Sequence, residues 1–241
     1  MTYDPIIVDK YSEDSQADWD TLAASGLPWA GGILKATQGL TFSAPDWLAQ
    51  NWAALETART RNFRTNFIRG AYHYYQVADD GCAQAKFFLS TMNKAGGYQL
   101  GDLWPIIDVE ADGNGNPSAQ QIVDGVCAFV ETIATETGMP TMLYGNEFLF
   151  SQGVTSRMGC SWLWVARYTA TLPQEIITRI GWTEDALWGW QYRGDAYNAL
   201  LETPDKVLYP NSAPGCGTSD LTVLTFPGGL DALCAKLWAK K

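Results

Sequence analysis

Two acids stand two residues apart in the segment Trp104-Pro105-Ile106-Ile107-Asp108-Val109-Glu110. On an extended strand, residues i and i+2 share a face, with their Cα atoms roughly 7 Å apart. Like charges held that close in a partly dry cleft raise one another's pKa, so one carboxyl stays protonated as a general acid while the other stays ionised. Hydrolysis of a glycosidic bond uses this division of labour. The same spacing also suits a solvated strand end whose acids lead into a polar loop. A calcium loop fits poorly. The run Asp108 to Gly113 imitates the start of one, but position twelve is Ala119 where a bidentate Glu is required, and no helical pattern precedes it.

Two more acids sit at strand ends: Asp9 closes Ile6-Ile7-Val8-Asp9, and Asp220 lies near the start of the last apolar run, after Gly217-Thr218-Ser219. In a closed barrel the first and last strands are neighbours, so both acids can reach one mouth. Each also suits a turn or cap. Other chemistries find less support. The single His73 disfavours a zinc hydrolase, which usually draws on two or more histidines. There is no GxSxG turn. The five cysteines (Cys82, Cys127, Cys160, Cys216, Cys234) are scattered without CxxC spacing, so mostly free thiols are expected. Carboxylates are left as the catalysts, with no metal and no cofactor.

Eleven Trp and eleven Tyr are many for this length, and sugar CH faces stack on aromatic rings. Tyr72, Tyr74, Tyr144, Trp164, Trp190 and Tyr192 fall at strand ends, where a ligand would meet them. Trp19, Trp47, Trp52 and Trp182 fall in helical or connecting segments and read as core.

The elements that must position these groups follow from periodicity. Apolar or β-branched runs predict eight strands near residues 6–9, 32–37, 68–75, 103–110, 141–144, 162–168, 187–192 and 219–224. Helical patterns between them suggest parallel strands joined by crossover helices. The best-marked helix has a capping-box pattern at Ser118 and Gln121 and an apolar stripe of Ile122, Val126, Val130 and Ile133, and it stops at Gly138 and Pro140. Asp46 is the expected cap of a helix carrying Leu48, Trp52 and Leu55. The last helix presents Leu230, Leu233, Cys234, Leu237 and Trp238, with Lys236, Lys240 and Lys241 at its C-terminal end. Residues 193–218 hold Pro204, Pro210 and Pro214 and no strong helical pattern, so the alternation is expected to fail there. The fold class is α/β, a modified (β/α) barrel with irregular last strands.

With 46% hydrophobic and 17% charged residues, the 241-residue chain has enough apolar surface for one folded domain spanning 1–241. A formal charge of −10 argues against a nucleic-acid partner, because each phosphate contact needs a cation. No long uncharged apolar stretch suggests a membrane span, and Met1-Thr2-Tyr3-Asp4-Pro5 lacks an export signal.

In order along the chain, Ile7-Val8-Asp9, Ile33-Leu34-Lys35-Ala36-Thr37-Gln38-Gly39, Gly70-Ala71-Tyr72-His73-Tyr74-Tyr75, Pro105-Ile106-Ile107-Asp108-Val109-Glu110, Leu143-Tyr144, Leu163-Trp164-Val165-Ala166-Arg167-Tyr168, Trp190-Gln191-Tyr192 and Asp220 resemble glycoside hydrolase family 25, the Chalaropsis-type lysozymes of bacteria, fungi and bacteriophages. The resemblance implies a modified β/α barrel that cleaves the β-1,4 bond between N-acetylmuramic acid and N-acetylglucosamine in peptidoglycan. It implies Glu110 as general acid and Asp108 as helper to the substrate's own 2-acetamido group, giving retention without a glycosyl-enzyme bond. Asp9 and Asp220 match supporting acids. Lys35, Gln38, Tyr74, Tyr144, Trp164 and Gln191 match positions near the bound sugar.

Family members commonly read Lys-Ala-Thr-Glu-Gly where this chain has Gln38, so a carboxylate is replaced by an amide. That replacement keeps open a glycan-binding module without catalysis on the same barrel. A monomeric phage endolysin is the expected setting, and an interbacterial effector delivered by a secretion machine reads the same in sequence. The endolysin is held in the host cytoplasm until release and then acts on peptidoglycan glycan strands in the wall.

Overall fold

The computed structural model describes residues 4–169, 171–194, 210, 212–217 and 219–239. In chain order the elements are β1 (Ile6–Lys10), α1 (Trp19–Ala24), β2 (Trp29–Gln38), β3 (Phe42–Ser43), α2 (Pro45–Arg61), β4 (Ile68–Tyr74), α3 (Gly81–Lys94), β5 (Ile106–Val109), α4 (Ala119–Thr137), β6 (Met142–Gly145), α5 (Glu147–Ser151), β7 (Trp162–Ala166), α6 (Gln174–Arg179), a 3₁₀ turn (Glu184–Ala186), β8 (Leu187–Arg193), β9 (Asp220–Leu224) and α7 (Gly229–Trp238). Eight of these strands close a barrel in the order β1-β9-β8-β7-β6-β5-β4-β2, with β2 pairing back to β1, and the short β3 folds onto the end of β2. This is the modified α/β barrel that the periodicity predicts.

Its one reversal is β9. Among the eight barrel strands the expected parallel run holds from β1 through β8, but β9 lies antiparallel to both β8 and β1. A parallel return needs a crossover, usually a helix. Among the described residues between β8 and β9 there is none. The failure of helical pattern over 193–218 thus has a topological consequence, although most of that segment, with Pro204, lies outside the described residues.

Strand alternation sorts the apolar residues into two cores. Outward faces, among them Val8, Leu34, Ala71, Ile107, Leu143, Val165 and Val223, pack under the helices. Inward faces carry Ile7, Ile33, Ile68, Ile106, Met142, Trp188 and Leu224, and Leu230, Leu233 and Leu237 of α7 join that inner cluster and seal the barrel's floor. Trp238 departs from its expected place on that stripe. It is 41% exposed, lies over the Arg59 guanidinium, and donates its indole N–H to Thr65 O.

Local signals act as their chemistry suggests, with two corrections. Ser118 and Gln121 form the reciprocal capping box, and Gly138 ends α4 in the left-handed conformation at φ 69°. Where α3 crosses α4, a Cβ on Gly81 would meet Gly125 O at 2.1 Å, so only glycine permits that approach. Asp46 is not the cap of α2. Ala44 holds that position without a side-chain bond, Pro45 begins the helix, and Asp46 complements the dipole in the first turn. The strand expected over 103–110 is pared to Ile106–Val109, leaving Glu110 just beyond its end. All five cysteines are free thiols. Trp19, Trp52 and Trp182 are buried as core, and Trp47 packs partly buried against it. Lys236 falls in the last turn of α7, whereas Lys240 and Lys241 lie outside the described residues.

Candidate active site

Two residues beyond the apolar floor, the same inward faces turn polar. Asp9 follows Ile7, Lys35 follows Ile33, Asp108 follows Ile106 and Tyr144 follows Met142. Together with Glu110, Asp220, Gln191, Tyr74 and Trp164 they line a cavity of about 180 Å³ at the C-terminal end of the parallel strands, where barrel enzymes build their sites. Nine of the ten site residues read from the sequence are therefore brought to one place. The antiparallel course of β9 is what delivers Asp220. Opposite Asp9 in register, it starts β9 at the level where β1 ends.

Gln191 is the hub of the deeper half. Its Nε2 donates to Asp9 Oδ2 (3.1 Å) and Asp220 Oδ2 (3.2 Å), while its Oε1 accepts from the hydroxyls of Tyr144 (2.7 Å) and Tyr168 (3.2 Å). A neutral amide thereby separates two carboxylates and satisfies four polar groups at once, which a buried site requires. Trp164 donates its indole N–H to Thr222 Oγ1 (2.9 Å) and meets Tyr144 edge to face, fixing both rings.

Lys35 is the one cation among the described residues lining this cavity. Its Nζ lies 4.7 Å from the Tyr74 ring centroid, 5.3 Å from Phe42 and 5.8 Å from Tyr11, and it donates to Gln38 Oε1 at 2.6 Å. Burial lowers the lysine's pKa, against the pull of Asp108 and Glu110. Gln38, expected as a sugar contact, does not line the cavity. It accepts the lysine's hydrogen bond at the end of β2, where the chain turns into the β3 hairpin.

Burial also governs the acid pair. Asp108 is 4% exposed, and burial, then Glu110, raises its pKa while Lys35 opposes the rise. Its Oδ1 is buried with no hydrogen-bond partner among the described residues. Glu110 is pushed up to about 7, first by burial and further by Asp112, with Lys35 and a hydrogen bond from Asn146 pulling the other way. Asn146 Nδ2 donates to Glu110 Oε1, and its own Oδ1 accepts from Phe148 N (2.9 Å), so the amide has one orientation. Burial thus biases both carboxyls toward their protonated forms and leaves one Asp108 oxygen without a partner among the described residues.

Sequence reasoning missed Asn146, Tyr11 and Tyr168 as site residues and treated Tyr72 only as one of several strand-end aromatics. Tyr11 and Tyr72 line the cavity, and each stands two residues from a site residue, Asp9 and Tyr74, so i+2 spacing could have found them. Asn146 carries a different signal, since it caps α5 immediately after β6. Trp190 and Tyr192 face outward into the helical shell instead, Trp190 donating to Arg167 O (2.7 Å) and Tyr192 to Pro210 O (2.7 Å). His73 is also structural. It is buried between Thr37 Oγ1 (2.8 Å) and Gln84 Oε1 (2.9 Å), stacked on Phe129, and burial lowers it to about 4, so it stays neutral. Among the described residues no cluster of three or more His, Cys, Asp or Glu is arranged to hold a metal ion.

Residues 8–199 match the sequence profile of Glycosyl hydrolases family 25. The uncharacterized protein YegX of Escherichia coli K12 is 25% identical over 159 residues, 65% of this chain, and the chain spans only about half (53%) of that relative's length. Among solved structures, a bacterial lysozyme from Streptomyces coelicolor superposes with a TM-score of 0.74 at 21% identity, covering 99% of each chain. A family 25 glycosyl hydrolase from Bacillus anthracis superposes at 0.71 with 21% identity, covering 97% of this chain and 93% of the other. A muramidase from Acremonium alcalophilum superposes at 0.66 with 26% identity, covering 98% and 100%.

Proposed function

The chain belongs to glycosyl hydrolase family 25, and from that premise we propose that it is a lysozyme, an N-acetylmuramidase hydrolysing the β-1,4 bond between N-acetylmuramic acid and N-acetylglucosamine in peptidoglycan. The observation that carries this reading is the buried pair at the barrel mouth, Glu110 held protonated up to about pH 7 and Asp108 with an unpaired Oδ1. Glu110 gives its proton to the glycosidic oxygen as the bond to the anomeric carbon breaks. Asp108 Oδ1 accepts the N–H of the substrate's 2-acetamido group, orienting its carbonyl oxygen to attack the anomeric carbon from the opposite face. Glu110, now ionised, then takes a proton from the water that opens the cyclic intermediate, and configuration is retained. Substrate-assisted enzymes of this kind stand outside the rule relating carboxylate separation to stereochemistry.

Tyr74, Tyr144 and Trp164 supply ring faces and edges for one sugar, and Gln191 keeps Asp9 and Asp220 fixed around it. Borohydride reduction of digestion products is the test. Muramitol at the new ends is expected, whereas glucosaminitol makes the protein a glucosaminidase. Proton NMR of fresh product distinguishes retention (β-anomer first) from inversion. Turbidity of permeabilised cells separates an enzyme from a glycan-binding module, since only the former clears the suspension.

A further inference from the structure

Beside the acid pair lies a second cavity, of about 680 Å³, that this chemistry does not use. Ala111, the chain neighbour of Glu110, and Asn146, its hydrogen-bond partner, line this cavity, as does Tyr168, which donates to Gln191 of the first cavity. The second cavity is thus lined by residues that adjoin Glu110. A general acid lies against the oxygen of the leaving sugar, so a strand seated in the first cavity continues past Glu110 into the second.

The second cavity holds a feature the first lacks, a cation at its surface. Arg167 and Glu147, both in the lining, pair with each other, with side chains 39% and 59% exposed. The backbone under Arg167 is fixed, its N–H donating to Gln191 O (3.1 Å) and its carbonyl accepting from Trp190 Nε1 (2.7 Å), so the guanidinium projects from a rigid strand end. An ion pair this exposed contributes little to stability and is cheap to exchange. Lys35, the cation of the first cavity, is partly buried and held by Gln38 and the acid pair. On a chain of net charge −10 with four carboxylates around the first cavity, Arg167 is, among the described residues lining the two cavities, the exposed cation placed to meet an anionic group arriving with a polymer. Its planar fork suits a carboxylate.

We propose that this second cavity binds a carboxylate carried by the leaving-group side of the glycan strand, with Arg167 as its receptor and Glu147 as the carboxylate it displaces; the proposal rests on the muramidase reading above. Two sources share this chemistry, the free lactyl carboxylate of a muramic acid and the carboxylates of a peptide attached there.

The test breaks the ion pair from either end. Arg167→Ala and Glu147→Gln are compared with the parent protein on soluble strands that retain their peptides, on strands stripped to the lactyl carboxylate, and on stripped strands with those carboxylates amidated. KM is read from reducing-end release at low salt. Arg167→Ala is expected to raise KM about tenfold, and Glu147→Gln to lower it about twofold by removing the competitor. On amidated strands both effects vanish. An effect confined to peptide-bearing strands assigns the peptide as the source, and one kept on stripped strands assigns the lactyl group. Shifts in the same direction for both variants, or shifts that persist on amidated strands, show a merely structural pair and overturn the proposal while leaving the muramidase reading intact. If the parent protein cleaves none of the strands, that reading fails instead. Calorimetric titration of the same strands into the Glu110→Gln form then decides the proposal by the same opposite-sign pattern in Kd.

Discussion

The floor and the mouth of the barrel are written on the same strand faces, two residues apart. At the floor, Ile7, Ile33 and Ile106 are fully buried among apolar neighbours, and at the mouth the next inward positions are Asp9, Lys35 and Asp108. Full burial of each floor side chain contributes roughly 1.5–3 kcal/mol. Burial at the mouth acts in the other direction, raising Asp108 and Glu110 and lowering Lys35 toward their neutral forms. One half of the interior thus stabilises the fold, and the other uses that stability to hold titratable groups in protonation states that water would not leave them in. Sites built this way trade stability for function.

The sharpest break in this comparison is Glu110→Gln. Turnover is expected to fall by roughly 10²–10⁴-fold, because a proton donor is lost while the shape is kept. The same change should stabilise the fold in alkali. The fold raises Glu110 from 4.5 to about 7, so it favours the neutral carboxyl. That contribution is complete below about pH 4.5 and lost as pH rises through about 7, and the amide retains it. Denaturation melts should therefore show the variant gaining on the parent between pH 4.5 and 8, by up to roughly 3 kcal/mol. Equal stability at every pH contradicts the assignment.

Ile106→Ala is the converse experiment at the floor. Urea unfolding should register a loss of roughly 2–5 kcal/mol, with kcat of the folded protein within about twofold of the parent because Asp108 keeps its strand partners. A kcat collapse instead would mean that floor and mouth are not separable.

Asn146→Ala probes the mouth more gently. Removing the donor to Glu110 lets its pKa climb further, so the alkaline limb of the pH–rate profile, expected near 7, should move up by roughly half to one unit. A structural role alone would lower activity without moving that limb.

The smallest effect is expected for Gln38→Glu. The new carboxylate draws on Lys35, whose charge otherwise supports ionised Asp108 and Glu110, so the alkaline limb should rise by a few tenths of a unit. An unchanged profile disproves the coupling through Lys35.

Much of this architecture was legible without coordinates. Leu103 to Glu110 read as a strand with two acids on one face, of which Ile106–Val109 forms the strand and Glu110 follows it, and Ser118 to Gly138 read as a capped helix, because both follow from periods of 2 and 3.6 and from capping chemistry confined to a few neighbours. The Asp46 cap failed for an equally local reason, since Pro45 already begins that helix. The type of Gln38 suits a sugar hydroxyl as well as an ammonium, and only the fold shows it accepting from Lys35 at the β2 to β3 turn, outside the cavity lining.

The amino-acid order determined which residues share a strand face, which faces are apolar, and that carboxylates and aromatics gather at strand ends. Tertiary structure decided the direction of β9, the meeting of Asp9 with Asp220, and the Gln191 hydrogen bond to Asp9 across 182 residues of chain. It also set the Asn146 donor to Glu110. The physical reason is range. Periodicity and capping are satisfied within a turn or a strand, whereas burial, pKa and the pairing of distant polar groups exist only once the barrel has closed.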